Sequence, residues 1–162
     1  HTYHGLDIRI ARIFNTYGSR IRVNDGRAIP TFIGQVLRGE SLTVFGDGSQ
    51  TRSFCYIDDM VEGIYKLLHS KYTRPINLGN PEEITLIDLA NEIITLSGNN
   101  NKIIFKPLPV NDPIKRKPDI TKAMNILNWK PLVYRKKGLK NTLDYFRTLS
   151  LQELNKKDHK FA

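Results

Sequence analysis

The sequence contains a single cysteine, Cys55, in 162 residues, so no disulfide can form within the chain. A lone thiol is typical of a reducing compartment. Cys55 lies between Phe54 and Tyr56, and we expect it to be a small core residue. No stretch approaches the roughly 18 consecutive apolar residues of a membrane-spanning helix. The sequence therefore predicts no membrane segment in this chain.

Self-contained catalytic motifs are also absent. None of the 11 glycines forms a Gly-x-Gly-x-x-Gly phosphate loop, and no tyrosine is followed four positions later by a lysine. His1 and His4 are three positions apart but have no third metal ligand nearby in sequence, so we expect no metal site. By itself the chain shows no complete set of catalytic groups.

The formal charge of +9 indicates an anionic partner. Nucleotide sugars and dinucleotides are anions, as nucleic acids are, so charge alone leaves both classes open. Much of the excess lies in late lysines and arginines that are typical of a solvated face. No interleaved aromatic and basic pattern indicates a nucleic-acid surface, so a polyanion-binding module is the weaker alternative and no nucleic-acid partner is expected.

Short strands and helices alternate along the chain, which predicts an α/β fold. Strands are expected at residues 7–14, 42–45, 52–57, 76–78 and 102–106, and helices at 28–38, 59–68, 85–98, 121–127 and 138–149, with a loop at 107–118. Asp59 with Glu62, and Thr85 with Asp88, match capping boxes. The first strand would be a buried strand of a parallel sheet, yet too few partner strands follow it.

That first strand ends in Asn15-Thr16-Tyr17-Gly18. Ligands of open α/β sheets bind beyond the carboxyl ends of the strands, so this polar end is a candidate binding site. An ordinary Asx-type turn explains the same residues equally well. Arg52 follows a glycine turn and Arg116 precedes a predicted helix. An arginine has the planar fork that matches phosphate or carboxylate, but a surface role explains either residue better when it is taken alone.

Six segments, in this order along the chain, carry a resemblance to a known family: Phe14-Asn15-Thr16-Tyr17-Gly18, Asn24-Asp25-Gly26-Arg27, the run from Gly46 to Asp59, Asn77-Leu78-Gly79-Asn80-Pro81, Arg116-Lys117-Pro118-Asp119-Ile120 and Trp129-Lys130-Pro131. Together they resemble the C-terminal half of the extended short-chain dehydrogenase/reductases that act on nucleotide sugars. The loop at 24–27 and the segment at 116–120 resemble the UDP-glucuronate decarboxylase branch more than the 4,6-dehydratases or 4-epimerases.

The resemblance implies the end of an NAD-binding Rossmann domain in residues 1–28. It implies a smaller nucleotide-sugar lobe with returning Rossmann elements in 29–150, and a polar tail follows in 151–162. It implies NAD as cofactor, a UDP-sugar as substrate and a homodimer for the intact enzyme. Family members occur in the cytoplasm, which we expect here, and in the Golgi lumen when an N-terminal anchor is present.

The same resemblance assigns roles to individual residues. Arg116 would be the catalytic arginine, and Thr16 and Arg22 would contact the cofactor. The substrate would be bound by Asn15, Arg27, Thr43, Val44 and Arg52. The family's glycine-rich loop and Tyr-x-x-x-Lys pair do not occur in these 162 residues. We therefore expect this chain alone to be inactive.

Overall fold

A computed structural model describes residues 4–108 and 115–155. Its strands are β1 (Ala11–Ile13), β2 (Thr16–Tyr17), β3 (Leu42–Phe45), β4 (Thr51–Ser53), β5 (Cys55–Tyr56), β6 (Ile76–Leu78), β7 (Glu83–Thr85), β8 (Ile103–Lys106) and β9 (Lys115–Arg116). Its helices are α1 (Ala28–Leu37), α2 (Ile57–Leu68), α3 (Leu86–Ser97), α4 (Thr121–Leu127), α5 (Arg135–Arg147) and α6 (Leu151–Asn155). The predicted α/β class is confirmed.

Most of the strand pairs are parallel. β1 pairs with β6, β2 with β5 and β3 with β8, all in parallel. β4 is central in a three-stranded sheet, antiparallel to β7 and parallel to β9. Among the described residues β6 is the one strand partner of β1, and Ile13 in β1 is 57% exposed. The expected shortage of partners for the first strand is therefore present.

The buried apolar side chains of the described residues form two clusters. The larger one is built mainly on α1, α3, α5 and β3. The smaller one lies between α2, α4 and β6 and includes Met60, Leu78 and Trp129. The clusters do not follow chain order. The larger one contains residues that precede the smaller one, such as Tyr17, and residues of α5 that follow it. The division at residue 28 stays a prediction.

Several predicted elements are confirmed because local sequence determines them. The Thr85 hydroxyl accepts a hydrogen bond from the Asp88 backbone nitrogen at 3.1 Å and so caps α3. Gly98 ends this helix in the left-handed conformation, with φ of 76°. Cys55 is fully buried, as expected of a core residue.

Other boundaries were wrong. The strand predicted at 7–14 is shorter, the one at 52–57 is divided at Phe54, and α5 begins three residues earlier than position 138. The two residues of β9 lie in a segment predicted to be a loop, of which 109–114 fall outside the described residues. The tail begins with α6, and residues 156–162 likewise lie outside the described part.

The capping box predicted at Asp59 was also wrong. α2 begins at Ile57, and Asp59 lies inside its first turn, buried. Its carboxylate accepts the backbone N–H groups of Leu132 and Val133 at 3.0 and 2.9 Å. The Trp129 indole N–H donates to the Asp59 carbonyl at 2.9 Å. Asp59 therefore connects α2 to the segment between α4 and α5.

Replacement of Asp59 by alanine should destabilise the chain, because two partly buried backbone N–H groups lose a charged acceptor. We expect Asp59→Ala to lower the free energy of unfolding by about 3 kcal/mol. Asp58 is exposed in the same helical turn, so Asp58→Ala is the matched control and should cost less than about 1 kcal/mol. Urea denaturation measures both, and equal losses would contradict the assigned role.

Candidate functional site

A cavity of about 480 Å³ opens where α1 begins, beside the end of β1 and the three-stranded sheet. Six of the eight residues assigned by the resemblance line it: Asn15, Thr16, Arg27, Thr43, Arg52 and Arg116. These residues come from segments up to a hundred positions apart in the sequence. The fold therefore brings together most of the predicted site in a single place.

The two remaining predicted residues lie elsewhere. Arg22 is exposed and is not part of the cavity wall. The Val44 side chain is fully buried in the larger core cluster. Side chains alternate along a strand, so Thr43 and Phe45 face the cavity from β3 while Val44 faces the core. Only the backbone of Val44 could contact a ligand there.

Aromatic wall residues were missed by the sequence analysis. Phe32 in α1, Phe45 in β3 and Phe54 between β4 and β5 line the cavity beside the polar groups. Alternation along β3 from Thr43 was the available signal for Phe45. Phe32 and Phe54 are also buried core residues, and sequence pattern alone does not separate a cavity wall from a core.

Asn15 and Thr16 lie where the chain passes from β1 to β2. The Asn15 carbonyl accepts the Cys55 backbone N–H at 2.9 Å, and the Thr16 hydroxyl donates to the Phe14 carbonyl at 2.8 Å. β1 is parallel to β6, and Asn15 and Thr16 follow its carboxyl end, where α/β sheets bind ligands. Both residues are part of the cavity wall.

Arg27 immediately precedes α1 and forms contacts within its own loop. Its guanidinium forms an ion pair with Asp25 and donates to the Thr16 carbonyl at 3.1 Å. The Asp25 carboxylate also accepts the Arg27 backbone N–H at 2.9 Å. This arrangement holds the loop at 24–27 against the end of β1. The side chain of Arg27 remains 52% exposed, so part of it faces the opening.

Arg52 and Arg116 are direct neighbours across the parallel pair of β4 and β9. Arg52 is buried and donates to the Thr51 carbonyl at 2.8 Å, whereas Arg116 is exposed. Both line the cavity. Adjacent strands are about 4.8 Å apart, so two guanidinium groups face one space. Such a pair suits a ligand with a diphosphate or a carboxylate.

Glu83 in β7 secures the strand that carries Arg116. One of its carboxylate oxygens accepts the Thr51 hydroxyl at 2.9 Å, and the other pairs with the Lys117 ammonium at 3.4 Å. The residue next to Arg116 is thereby attached to the opposite edge of the sheet. This link keeps β9 in register with β4.

Two buried titratable groups lie at the cavity: Tyr17 is part of its wall, and Cys55 follows the wall residue Phe54. Burial raises the pKa of the Cys55 thiol to about 12 and raises the pKa of Tyr17 well above its usual range. The Tyr17 hydroxyl donates to the Arg135 carbonyl at 3.3 Å. A β-carbon at Gly138 would lie 2.3 Å from that hydroxyl, so glycine is needed there. Both groups stay neutral at pH 7 and act as packing residues.

Within residues 4–108 and 115–155, no three histidine, cysteine, aspartate or glutamate side chains lie together as metal ligands would. Over the same ranges, no helix has the length and apolar character required to cross a bilayer. Asp119 accepts the Thr121 backbone N–H at 2.9 Å, which makes it a helix-start residue outside the cavity wall.

Residues 1–79 match the family model described as the NAD dependent epimerase/dehydratase family. The chain is 49% identical over 142 residues to UDP-glucuronic acid decarboxylase 1 of Danio rerio, covering 88% of this chain. It is also 49% identical over 147 residues to UDP-glucuronic acid decarboxylase 5 of Arabidopsis thaliana, covering 91% of this chain. Residues 1–79 belong to the NAD dependent epimerase/dehydratase family.

Solved structures of this epimerase/dehydratase family share the fold. UDP-glucuronic acid 4-epimerase from Bacillus cereus, in complex with UDP-glucuronic acid and NAD, superposes with a TM-score of 0.84 at 33% identity, covering 91% of this chain and 47% of that one. UDP-glucose 4-epimerase from Thermotoga maritima, with UDP-glucose, superposes with a TM-score of 0.85 at 31% identity. The superposition covers 90% of this chain and 48% of that one. The resemblance to extended short-chain dehydrogenase/reductases is confirmed, and the fold is a part of their Rossmann-type architecture.

The chain spans 34% of the Danio rerio relative and 43% of the Arabidopsis thaliana one. The cavity described above is formed by residues of this chain. Its arginine pair and polar strand end are the features that this chain itself provides.

The arginine pair predicts affinity for a compact polyanion. Arg116→Ala should weaken pyrophosphate binding about tenfold, because a charge-assisted hydrogen bond is lost. Arg74→Ala, at an exposed position outside the cavity wall, is the control and should leave binding unchanged. Isothermal titration calorimetry at constant ionic strength measures both. Equal effects of the two substitutions would show that general positive charge, and not this pair, attracts the anion.

Proposed function

We propose that this chain is the nucleotide-sugar half of an NAD-dependent enzyme that converts UDP-glucuronate to UDP-xylose and carbon dioxide. The observation that carries the proposal is the arginine pair, Arg52 and Arg116, at the wall of a cavity that also contains Asn15 and Thr16. The decarboxylase names of the curated relatives at 49% identity support it.

The proposed roles follow the geometry of the cavity. Arg52, buried and restrained by its bond to the Thr51 carbonyl, would hold the UDP diphosphate together with Arg27. Thr43 and the backbone of Val44 would contact the uridine. Asn15 would bind the sugar nucleotide at the strand end. These roles use hydrogen-bond donors for the anionic part of the ligand and a mixed polar and aromatic wall for the base.

NAD, when bound, would supply the reversible oxidation of the sugar at C4. The residues present suit one edge of that cofactor, since Thr16 follows the carboxyl end of β1 and lines the cavity. Arg22 is exposed and would reach the cofactor only from outside this cavity. No Gly-x-Gly-x-x-Gly occurs in the chain to hold a pyrophosphate.

Arg116 is the proposed catalytic residue. Oxidation at C4 makes the sugar a β-keto acid, in which the bond to the carboxyl carbon breaks and carbon dioxide leaves. The electron pair of that bond passes to the C4 oxygen as an enolate. A guanidinium near this oxygen would stabilise the developing charge. C5 would then take up a proton, and return of the hydride to C4 would restore the hydroxyl of the xylose product. Because Arg116 is exposed beside the buried Arg52, it is the arginine free to follow the sugar.

A 4-epimerase or 4,6-dehydratase of the same superfamily is the second candidate. It is favoured by the superposition on the Bacillus cereus UDP-glucuronic acid 4-epimerase, which was solved in complex with the same sugar nucleotide. Identity to that protein is 33%, against 49% for the decarboxylases, so the decarboxylase is the first choice. We further propose the cytoplasm as the compartment, in keeping with the one free cysteine. A homodimer of the intact enzyme is proposed from the resemblance alone.

The full-length gene product, incubated with UDP-glucuronate and NAD, should release UDP-xylose and carbon dioxide. Mass spectrometry and NMR of the sugar identify the product. The 162-residue chain alone should give none. Unchanged or merely epimerised UDP-glucuronate would contradict the decarboxylase assignment, and turnover by the short chain would contradict the expectation that further residues supply the chemistry.

Arg116→Lys in the full-length gene product should lower kcat at least a hundredfold, since lysine keeps the charge but loses the planar fork. Arg74→Lys is the matched control and should keep the unaltered rate. Steady-state kinetics with product quantification tests both. Unchanged kcat in Arg116→Lys would rule out a catalytic role for this residue.

A further inference from the structure

Gln35 in α1 and Thr43 in β3 are joined by two hydrogen bonds. The Thr43 backbone nitrogen lies 3.0 Å from Gln35 Oε1, and Gln35 Nε2 lies 3.2 Å from Thr43 Oγ1. A backbone N–H can only donate, so the amide atom that faces it must be the oxygen. The amide nitrogen, which also only donates, therefore faces the hydroxyl.

This assignment decides the polarity of Thr43. Because Gln35 Nε2 donates to it, the hydroxyl oxygen is an acceptor in that bond and its own proton points elsewhere. A hydroxyl has one proton to donate. Among the described residues, no acceptor receives the Thr43 hydroxyl proton, and Thr43 lines the cavity. Thr43 therefore presents a donor to whatever occupies that part of the cavity.

Gln35 is well placed to impose this polarity. It lies on α1 between residues whose side chains are almost completely buried, Phe32 at 3% and Val36 at 0% exposed. The helix is thus fixed against the larger core cluster, and the Gln35 amide is fixed by both of its bonds. The Thr43 hydroxyl cannot reverse its role unless this amide changes.

We propose that Gln35 is a positioning residue that makes Thr43 a hydrogen-bond donor to the nucleotide base, and that this donor favours uracil over cytosine. The proposal rests on the proposed function, which puts uridine beside Thr43. At position 4 of the ring, uracil has a carbonyl acceptor and cytosine an amino donor. A cytosine amino group could use only the remaining lone pair of the Thr43 hydroxyl, which would leave the hydroxyl proton without an acceptor. Such an unpaired donor lowers the affinity for cytosine relative to uracil.

The substitution Gln35→Glu reverses the polarity while the fold is kept. One carboxylate oxygen can still accept the Thr43 backbone N–H. The other oxygen has no proton to donate and so takes the proton of the Thr43 hydroxyl. Thr43 then offers only lone pairs to the cavity, which matches the cytosine amino group instead of the uracil carbonyl.

The test is calorimetric binding of UDP and of CDP to the full-length gene product and to Gln35→Glu, Thr43→Val and the double variant. The unaltered protein should prefer UDP about tenfold, and Thr43→Val should lose about fivefold in UDP affinity. Gln35→Glu should move the UDP-to-CDP ratio at least tenfold toward CDP. The double variant should show the ratio of Thr43→Val, since Gln35 acts through the hydroxyl.

The ratio separates this role from general damage or added charge. UDP and CDP carry the same diphosphate, so a new carboxylate or a loosened fold weakens both equally and leaves the ratio unchanged. An unchanged ratio in Gln35→Glu, with UDP still bound, would overturn this inference and leave the proposed function standing. If the unaltered protein binds neither nucleotide, the proposed function fails and the inference fails with it.

Discussion

The parallel pairing of β4 with β9 is the constraint on which the site depends. It puts Arg52 directly beside Arg116, and two like charges so close repel each other. Glu83 pairs with Lys117 and accepts the Thr51 hydroxyl, so it links both neighbouring strands to β7. The two guanidinium groups line the same cavity, where a bound anion would lower their mutual repulsion. Relief of the repulsion between the two arginines would therefore contribute to the affinity for an anionic ligand.

The two apolar clusters are held in relation to each other by polar links and close contacts. Asp59 attaches the start of α2 to the segment that leads into α5. Gly138 lets α5 approach Tyr17, whose hydroxyl is held by the Arg135 carbonyl. Arg135 in turn pairs with Glu82 and Glu92. The cavity wall therefore depends on helix contacts that lie well behind it.

The sequence correctly predicted those helices whose caps, ends and apolar faces are determined by neighbouring residues. The Thr85 cap, the Gly98 stop and the apolar stripe of α1 lie within one or two turns of what they control. Asp59 carried the same local pattern as Thr85, yet its partners lie more than seventy residues away, and that tertiary contact decided its role. β9 has only two residues, too few for any periodicity to show.

The candidate site was predicted by likeness to a family, because no spacing in the sequence brings Asn15, Arg52 and Arg116 together. Side chains alternate along a strand, and Thr43 and Phe45 share a face of β3. Alternation from Thr43 would therefore have predicted Phe45, and not Val44, as the second wall residue. The hydrogen-bond polarity of Thr43 could not be foreseen at all. It arises from Gln35, eight positions earlier, only once α1 lies against β3.

The separation of the paired arginines also bears on how the chain reaches its native state. Arg52 and Arg116 are 64 positions apart (116 minus 52), so a long loop must close before β9 can join β4. Loop closure costs entropy that two strand residues do not repay by themselves. Contacts at such long range form slowly. We expect the arginine wall to assemble late in folding, after α1 and α3 have joined, so that anion-binding capacity arises as one of the last events.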